Sequence, residues 1–283
     1  CREYRFSMLI KSTKSAKGSK PPIMVFLAPA FAAFGRFSVF SPCALPACTD
    51  SVRTVCQALL NNHHHMTAHN TSPSPVFPLA LALLLVAVMA WSGIHPADRA
   101  VWWAEIIPIF LVFGALVLSY PLFRFSNPAY ALMSLWLLMH TVGAHYTFAN
   151  VPFDWGNRLL TPLLGEGRNH YDRLAHYIIG FYSFPMAEWL LRRRLCGLKL
   201  ALFFALFFIM SVAASYEIIE WLYAVVEGGN AGIEFLGSQG DVWDAQKDML
   251  ADTLGAITAL ILFVLIRPDR RYTDTSTATL QAF

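Results

Sequence analysis

The amino-acid sequence predicts an all-α fold: a polytopic membrane helix bundle of about six transmembrane helices. Three observations carry this. Of the 283 residues, 56% are hydrophobic and only 14% charged, against about 25% charged in a soluble domain. Mean hydropathy is +0.48. Apolar stretches of spanning length recur at 77–94, 101–121, 128–147, 171–191, 199–226 and 243–266, each long enough to cross a hydrocarbon core of about 30 Å as a helix.

Residues 1–65 differ from the rest of the chain. They carry a basic stretch, "KSTKSAKGSK", and a Pro-interrupted apolar stretch, "IMVFLAPAFAAF". A basic segment before a short apolar one has the layout of a secretory signal. Regular spans begin only after Met66, and we expect translation to start there, with 1–65 outside the native protein. The expected organisation is therefore an extension at 1–65, a six-span domain at 66–270 and a short cytoplasmic tail at 271–283. Cys1, Cys43, Cys48 and Cys56 precede the spans and only Cys196 lies beyond Met66, so the later chain has no internal disulfide to form.

The first span is apolar throughout. The second carries Glu105. The third places His140 and His145 near one end, in "MHTVGAHYTF", five residues apart and so on different faces. The fourth, "NHYDRLAHYIIG", sets Asp172 and His176 one turn apart, with Gly180 and Ser183 continuing that face. Its other end carries Glu188 and Arg192 at the i,i+4 spacing of an interfacial ion pair. On the fifth, Ala213, Glu217, Glu220 and Ala224 share a face in "AASYEIIEWLYA". Tyr216 and Trp221 beside them read as interface anchors.

The sixth is the most informative. Taken as a helix, "GDVWDAQKDMLADTLGA" places Asp241, Asp244, Asp248 and Asp252 within about an 80° arc at 100° per residue. This acidic stripe then runs into "AITALILFVLI". Ionisable groups cost a few kcal/mol each at the centre of a spanning helix, so they face the bundle interior and satisfy one another.

Lys and Arg orient the bundle. Arg124, Arg192, Arg193, Arg194, Lys199, Arg267, Arg270 and Arg271 fall on one side; Arg99, Arg158, Arg168, Arg173 and Lys247 fall on the other. The bias puts the Arg-triplet loop and both termini in the cytoplasm. The buried polar residues then gather in the extracytoplasmic halves of the helices, and the opposite halves are nearly bare.

Composition and motifs exclude other classes. Net charge is +3, too small to indicate a nucleic-acid partner. The sequence contains no phosphate-binding glycine loop, Cys-x-x-Cys pair or RNA-binding signature. It also lacks the Gly-x-Ser-x-Gly element of a covalent hydrolase.

Several blocks, "HYTFANVPF", "NHYDRLAHYIIGF", "SYEIIEW" and "FLGSQGDVWDAQKDMLADTLGA", resemble the family of bacterial inner-membrane proteins typified by YjdF, over about residues 75 to 267. The resemblance implies a multispanning protein of the bacterial inner membrane and supplies no activity. A looser likeness is to VanZ-like proteins, with their Asp-Lys-x-x-His, Glu-x-x-Gln and Asp-x-x-x-Asn-x-x-Gly elements. Here Asp172 and His176, Glu217 and Glu220, and Asp248, Asp252 and Gly255 occupy those positions. The departures are Arg173 for Lys, Glu220 for Gln and Asp252 for Asn, which make this site more negative.

The expected function is an extracytoplasmic-side polar pocket that binds a cation or a polar envelope or lipid headgroup within the lipid bilayer. Asp172, His176, Glu217, Glu220 and Asp248 are the candidates for chemistry. His145, His176, Glu217, Glu220, Asp244 and Asp248 are candidate ligands of a divalent metal; carboxylate and imidazole donors suit Zn, Mn or Fe. Asp252 and Gly255 are expected to support them. At 1.5 Å per residue, Asp248 lies about 10 Å and Asp252 about 16 Å beyond Asp241 along the helix. Asp248 is therefore expected to face Glu217 or Glu220 and His176, with Asp252 deeper. The alternatives are a structural network that fixes helix packing or, against the bare halves, a transporter.

Overall fold

A computed structural model describes residues 74–272; the expectations for 1–65 and for the end of the tail lie outside the described residues. Those residues fold into helices and form no strand. In chain order they are α1 Val76–Ser92, α2 Arg99–Ser119, α3 Asn127–Tyr146, α4 Asp154–Leu164, α5 Tyr171–Ile179, α6 Ser183–Arg192, α7 Leu198–Glu227, α8 Gly229–Leu236 and α9 Asp244–Ile266. Helices stand at all six expected places. Three of them (α2, α7, and α9 with its extension to Arg270) are long and apolar enough to cross a membrane by length and composition. The chain is a polytopic helical membrane protein.

Local chemistry sets the boundaries. Asp98 caps α2 by accepting from Ala100 N at 2.7 Å and Val101 N at 2.9 Å, satisfying donors that have no partner within the helix. At the start of α3, Ser126 N and Oγ donate to Glu188 Oε1 and Oε2 at 2.9 and 2.6 Å. Arg192 Nη1 closes that node on Glu188 Oε1 and on Arg124 O, both at 2.7 Å. The expected Glu188–Arg192 pair therefore forms, but as a buried helix-joining node with Glu188 fully covered. It is not an exposed interfacial pair.

The fourth span is not one uniform helix. It divides into α5 and α6 around a 3-10 turn, Gly180–Tyr182. The reason lies in what it packs on. A Cβ on Gly180 would stand 2.3 Å from Asp252 O, and one on Gly255 would stand 1.8 Å from Tyr177 O. The two backbones touch, as small residues allow between helices in lipid. Ser183 Oγ donates to Ala256 O at 3.0 Å across the same contact. Gly255 thus sets the distance between α5 and α9.

The sixth helix begins at Asp244, so Asp241 lies in the preceding turn and not on the helix itself. Gly240, at φ +85°, supplies the left-handed residue there. Two short helices, α4 and α8, occupy connections that the apolar pattern leaves blank. α8 packs on both α2 and α7, whereas α2 and α7 are not packed against each other along their length. Aromatic and aliphatic side chains such as Trp102, Ile106, Trp136 and Ile178 fill one core cluster, and Tyr130, Met133, Phe184 and Phe263 another.

Candidate functional site

The N-terminal half of α9 presents Asp244, Asp248 and Asp252 to α5, all buried. Two arginines answer the outer acids. Arg168 precedes α5 and Arg173 lies on it, with side chains 9% and 6% exposed. Both donate to Asp244 Oδ1. Arg168 Nη2 also reaches Asp172 Oδ2 at 3.3 Å. Arg173 Nη2 reaches Asp241 Oδ2 at 3.3 Å, and its Nε lies 3.2 Å from Asp248 Oδ1. Lys247 Nζ donates to Asp241 Oδ2 at 2.6 Å, which holds that carboxyl below the usual carboxylate range.

The loop before α5 is locked to the turn before α9. Asn169 N donates to Gln239 Oε1 at 2.8 Å, and Gln239 Nε2 returns a bond to Asn169 O at 3.1 Å. Asn169 Oδ1 accepts from Tyr171 N at 3.1 Å, just ahead of the helix that carries Asp172. His170, fully covered, has its Nε2 2.9 Å from Gly165 O. Its Nδ1 has no hydrogen-bond partner among the described residues. Burial, with Arg168 and Arg173 nearby, pushes this imidazole below its ordinary pKa.

One turn deeper, His176 stands between three acids. Its Nδ1 is 3.2 Å from Asp252 Oδ2, and its Nε2 is 3.7 Å from Asp172 Oδ1. Asp172, His176 and Asp248 each offer a ligand atom, all within 4.8 Å of one another. Asp252 is completely covered, and its second oxygen, Oδ1, lacks a hydrogen-bond partner among the described residues.

The expected residues are thus distributed unequally. Asp172, His176, Asp244, Asp248 and Asp252 come together. His176 bonds Asp252, and Asp248 lies 3.2 Å from Arg173 Nε while sharing ligand reach with Asp172 and His176. Glu217 lines a depression with Asp241 and Asp244, and its Oε1 is buried without a hydrogen-bond partner among the described residues. Glu220 lines a separate cavity with Asp172, His176 and Asp252. His145 does not join the cluster: its Nδ1 bonds Ser92 O at 2.9 Å and its ring stacks on Trp91. Rotation of α3 carries it towards α1, which a five-residue offset from His140 permits.

For four residues, Arg168, Arg173, Glu105 and Tyr216, spacing left the partners unassigned. Arg168 and Arg173 read in sequence as charges of the extracytoplasmic side, Arg173 also standing for Lys in the VanZ-like element. Glu105 and Tyr216 are brought together across the bundle: Tyr216 Oη donates to Glu105 Oε2 at 3.0 Å, and His140 Nε2 lies 3.0 Å from that same oxygen. Tyr216 is therefore an interior bridge and not an interface anchor.

Residues 77–269 match the family model described as predicted membrane protein (DUF2238). The Inner membrane protein YjdF of Escherichia coli (strain K12) is 34% identical over 182 residues, which cover 64% of this chain and 85% of that protein. No solved structure matches the chain. The family model covers most of the chain and its description agrees with a helical membrane bundle, and the chain belongs to the DUF2238 family of predicted membrane proteins.

Proposed function

We propose that the polar end of the bundle is an extracytoplasmic cation-binding pocket of a bacterial inner-membrane protein, with Asp172, His176 and Asp248 as ligands. The observation that carries this reading is the convergence of three ligand atoms within 4.8 Å from two helices. Charge balance supports it. Seven carboxylates (Asp172, Glu217, Glu220, Asp241, Asp244, Asp248 and Asp252) share the region with three permanent cations, Arg168, Arg173 and Lys247. Such an excess inside a membrane protein calls for protons or a bound cation.

The roles divide by depth. Arg168, Arg173, Asp241 and Asp244 form a paired lattice that joins α5 to α9. His176, donating from Nδ1 to Asp252, is left with Nε2 as a lone-pair donor; a carboxylate behind a histidine is the usual support of a metal ligand. Carboxylate and imidazole together suit a borderline divalent ion such as Zn or Mn. The bound ion would act as a Lewis acid on a polar headgroup or on water.

The test is metal uptake by purified protein stripped with chelator, read by calorimetry and elemental analysis. One equivalent of Zn or Mn, lost in Asp248→Asn and His176→Gln, is expected. Failure of the stripped, folded protein to take up any stoichiometric divalent ion would overturn it.

A further inference from the structure

The connections at the acid-rich end of the bundle carry exposed apolar side chains that the cation reading leaves unused. α4 holds the largest set. Trp155, Leu159 and Leu163 follow one another at four-residue spacing, within about an 80° arc at 100° per residue. All three are exposed, Leu159 by 71% and Leu163 by 81%. The other side of α4 faces the protein. Gly156 is buried against the Phe153 ring, where a Cβ would stand 2.0 Å from Cζ. Leu160 packs on the cluster of Phe148, Val151, Phe153 and Tyr171, and Asn157 Oδ1 accepts from His170 N at 2.8 Å. A helix on a water-facing surface turns charged and polar residues outward; α4 turns Trp155, Leu159 and Leu163 outward instead.

α4 is too short to be a span. Its 11 residues make about 16 Å at 1.5 Å per residue, against a hydrocarbon core of about 30 Å. Both flanks are held at one end of the bundle. Asn169 Nδ2, just before α5, donates to Ala149 O and Val151 O, just after α3, at 3.1 and 2.7 Å.

Two further connections reach the same end. Ala97 N, ahead of α2, donates to His145 O near the end of α3 at 2.9 Å. The Asn169–Gln239 pair ties the turn before α9 to the loop before α5. Each connection has exposed apolar side chains of its own: Ile94 in the first, Val242 (86% exposed) and Trp243 in the second. Three separate segments thus turn apolar side chains outward at one end. A docked protein covers a single patch, whereas a bilayer surface surrounds the bundle and meets all three. The residue types agree with that depth. Tryptophan sits at the headgroup level, and Arg158, exposed beside the α4 face, has the long stem that lets a guanidinium reach lipid phosphates from an apolar surface.

We infer that α4 lies in the plane of the membrane, in the headgroup layer, as part of an apolar collar completed by Ile94 and by Val242 and Trp243, whose partner is the lipid surface itself. The depression lined by Glu217, Asp241 and Asp244 is also lined by Val242. The collar therefore sets the acidic mouth among lipid headgroups and not in bulk water. None of this requires a bound metal.

The test uses full-length protein in phosphatidylethanolamine–phosphatidylglycerol nanodiscs, with its five cysteines replaced by serine. Leu159→Cys, Leu163→Cys, Val242→Cys and, for comparison, Glu166→Cys are made singly and spin-labelled. Collision with oxygen, which concentrates in lipid, is compared with collision with a water-soluble nickel chelate. Oxygen should dominate at 159, 163 and 242, and the chelate at Glu166, which is exposed in the loop after α4. Dominance of the chelate at 159, 163 or 242 would place the collar in water and overturn the inference. Shielding of these positions from both reagents, the mark of a protein partner, would overturn it too. A second measurement keeps the native cysteines: lipids brominated near the top of the acyl chains should quench tryptophan emission, and Trp155→Phe should remove part of that quenching. Unchanged quenching in a monodisperse Trp155→Phe protein would also count against the collar.

Discussion

His176 Nδ1 lies 3.2 Å from Asp252 Oδ2, which makes the deepest acid of the α9 stripe the one that orients the imidazole. Asp248, one turn towards the polar end, is left to Arg173 and to the space shared with Asp172 and His176. The two aspartates should therefore differ under the same substitution. In Asp252→Asn the amide oxygen still accepts from His176, so metal affinity should fall by about tenfold, the lower end for loss of a supporting group. Asp248→Asn removes a ligand charge and should abolish stoichiometric uptake. Calorimetric titration of both variants with Zn checks the order; equal losses would contradict it.

Arg173 touches Asp241, Asp244 and Asp248 while 6% exposed. Removing one side of a buried ion pair leaves uncompensated charge and costs about 3–5 kcal/mol. Arg173→Gln should lower the thermal unfolding temperature in detergent markedly. Arg173→Lys should recover only part of the loss, because one ammonium cannot reproduce the span of a guanidinium fork. Full recovery by Lys would show that charge alone, without geometry, holds the lattice.

The contact of α5 with α9 depends on Gly255, where any Cβ collides with Tyr177 O at 1.8 Å. Gly255→Ala must push α9 away, parting His176 from Asp252 and opening a gap in a packed interface. Both unfolding temperature and metal uptake should drop together. Gly114→Ala on α2 meets nothing within 4 Å and replaces a residue of poor helix propensity, so it should be neutral or slightly stabilising. Thermal melts of the pair decide it.

His170 gives a pH dependence outside the spans. Its folded pKa lies below the ordinary value of 6.5, chiefly through burial, so the unfolded chain takes up the proton first. Its contribution to stability is therefore complete above about pH 6.5 and is lost as pH falls below that value towards the lower folded pKa. His170→Gln keeps a donor for Gly165 O but cannot titrate. The stability difference between the parent and this variant should shift in favour of the variant as pH falls from 7 to 5. A pH-independent difference would exclude His170 as the source.

The six helices were legible because apolar runs of about 20 residues have few other uses. α4 and α8 were not, being short and mixed in polarity. The α9 stripe was legible because three- and four-residue spacings fix a face within one helix. What spacing cannot supply is the rotation of one helix against another. His145 therefore turned towards α1 unforeseen, and Glu105, His140 and Tyr216 met although they lie on three different helices. The roles of Arg168 and Arg173 were hidden for a different reason. A charge at or near the end of a span looks the same in sequence whether it faces water or is buried against a carboxylate.

Orientation is the last expectation. Arg192 and Arg193 both donate to carbonyls of the α2–α3 connection, at Arg124 O and Leu122 O, each at 2.7 Å. This puts the Arg triplet and Arg124 at one end of the bundle, with Arg267 and Arg270 just past the C-terminus of α9. The acid-rich site lies at the other end, near the start of α5 and of α9. Lys and Arg near span ends retain a loop in the cytoplasm during insertion, whereas Asp and Glu contribute little to that choice. The paired acids of the polar end therefore do not offset the bias. Green fluorescent protein fused after Arg193 should fluoresce, and alkaline phosphatase fused after Gly165, in the connection between α4 and α5, should be active. The reverse pattern would place the carboxylate pocket on the cytoplasmic side and move its ligand there with it.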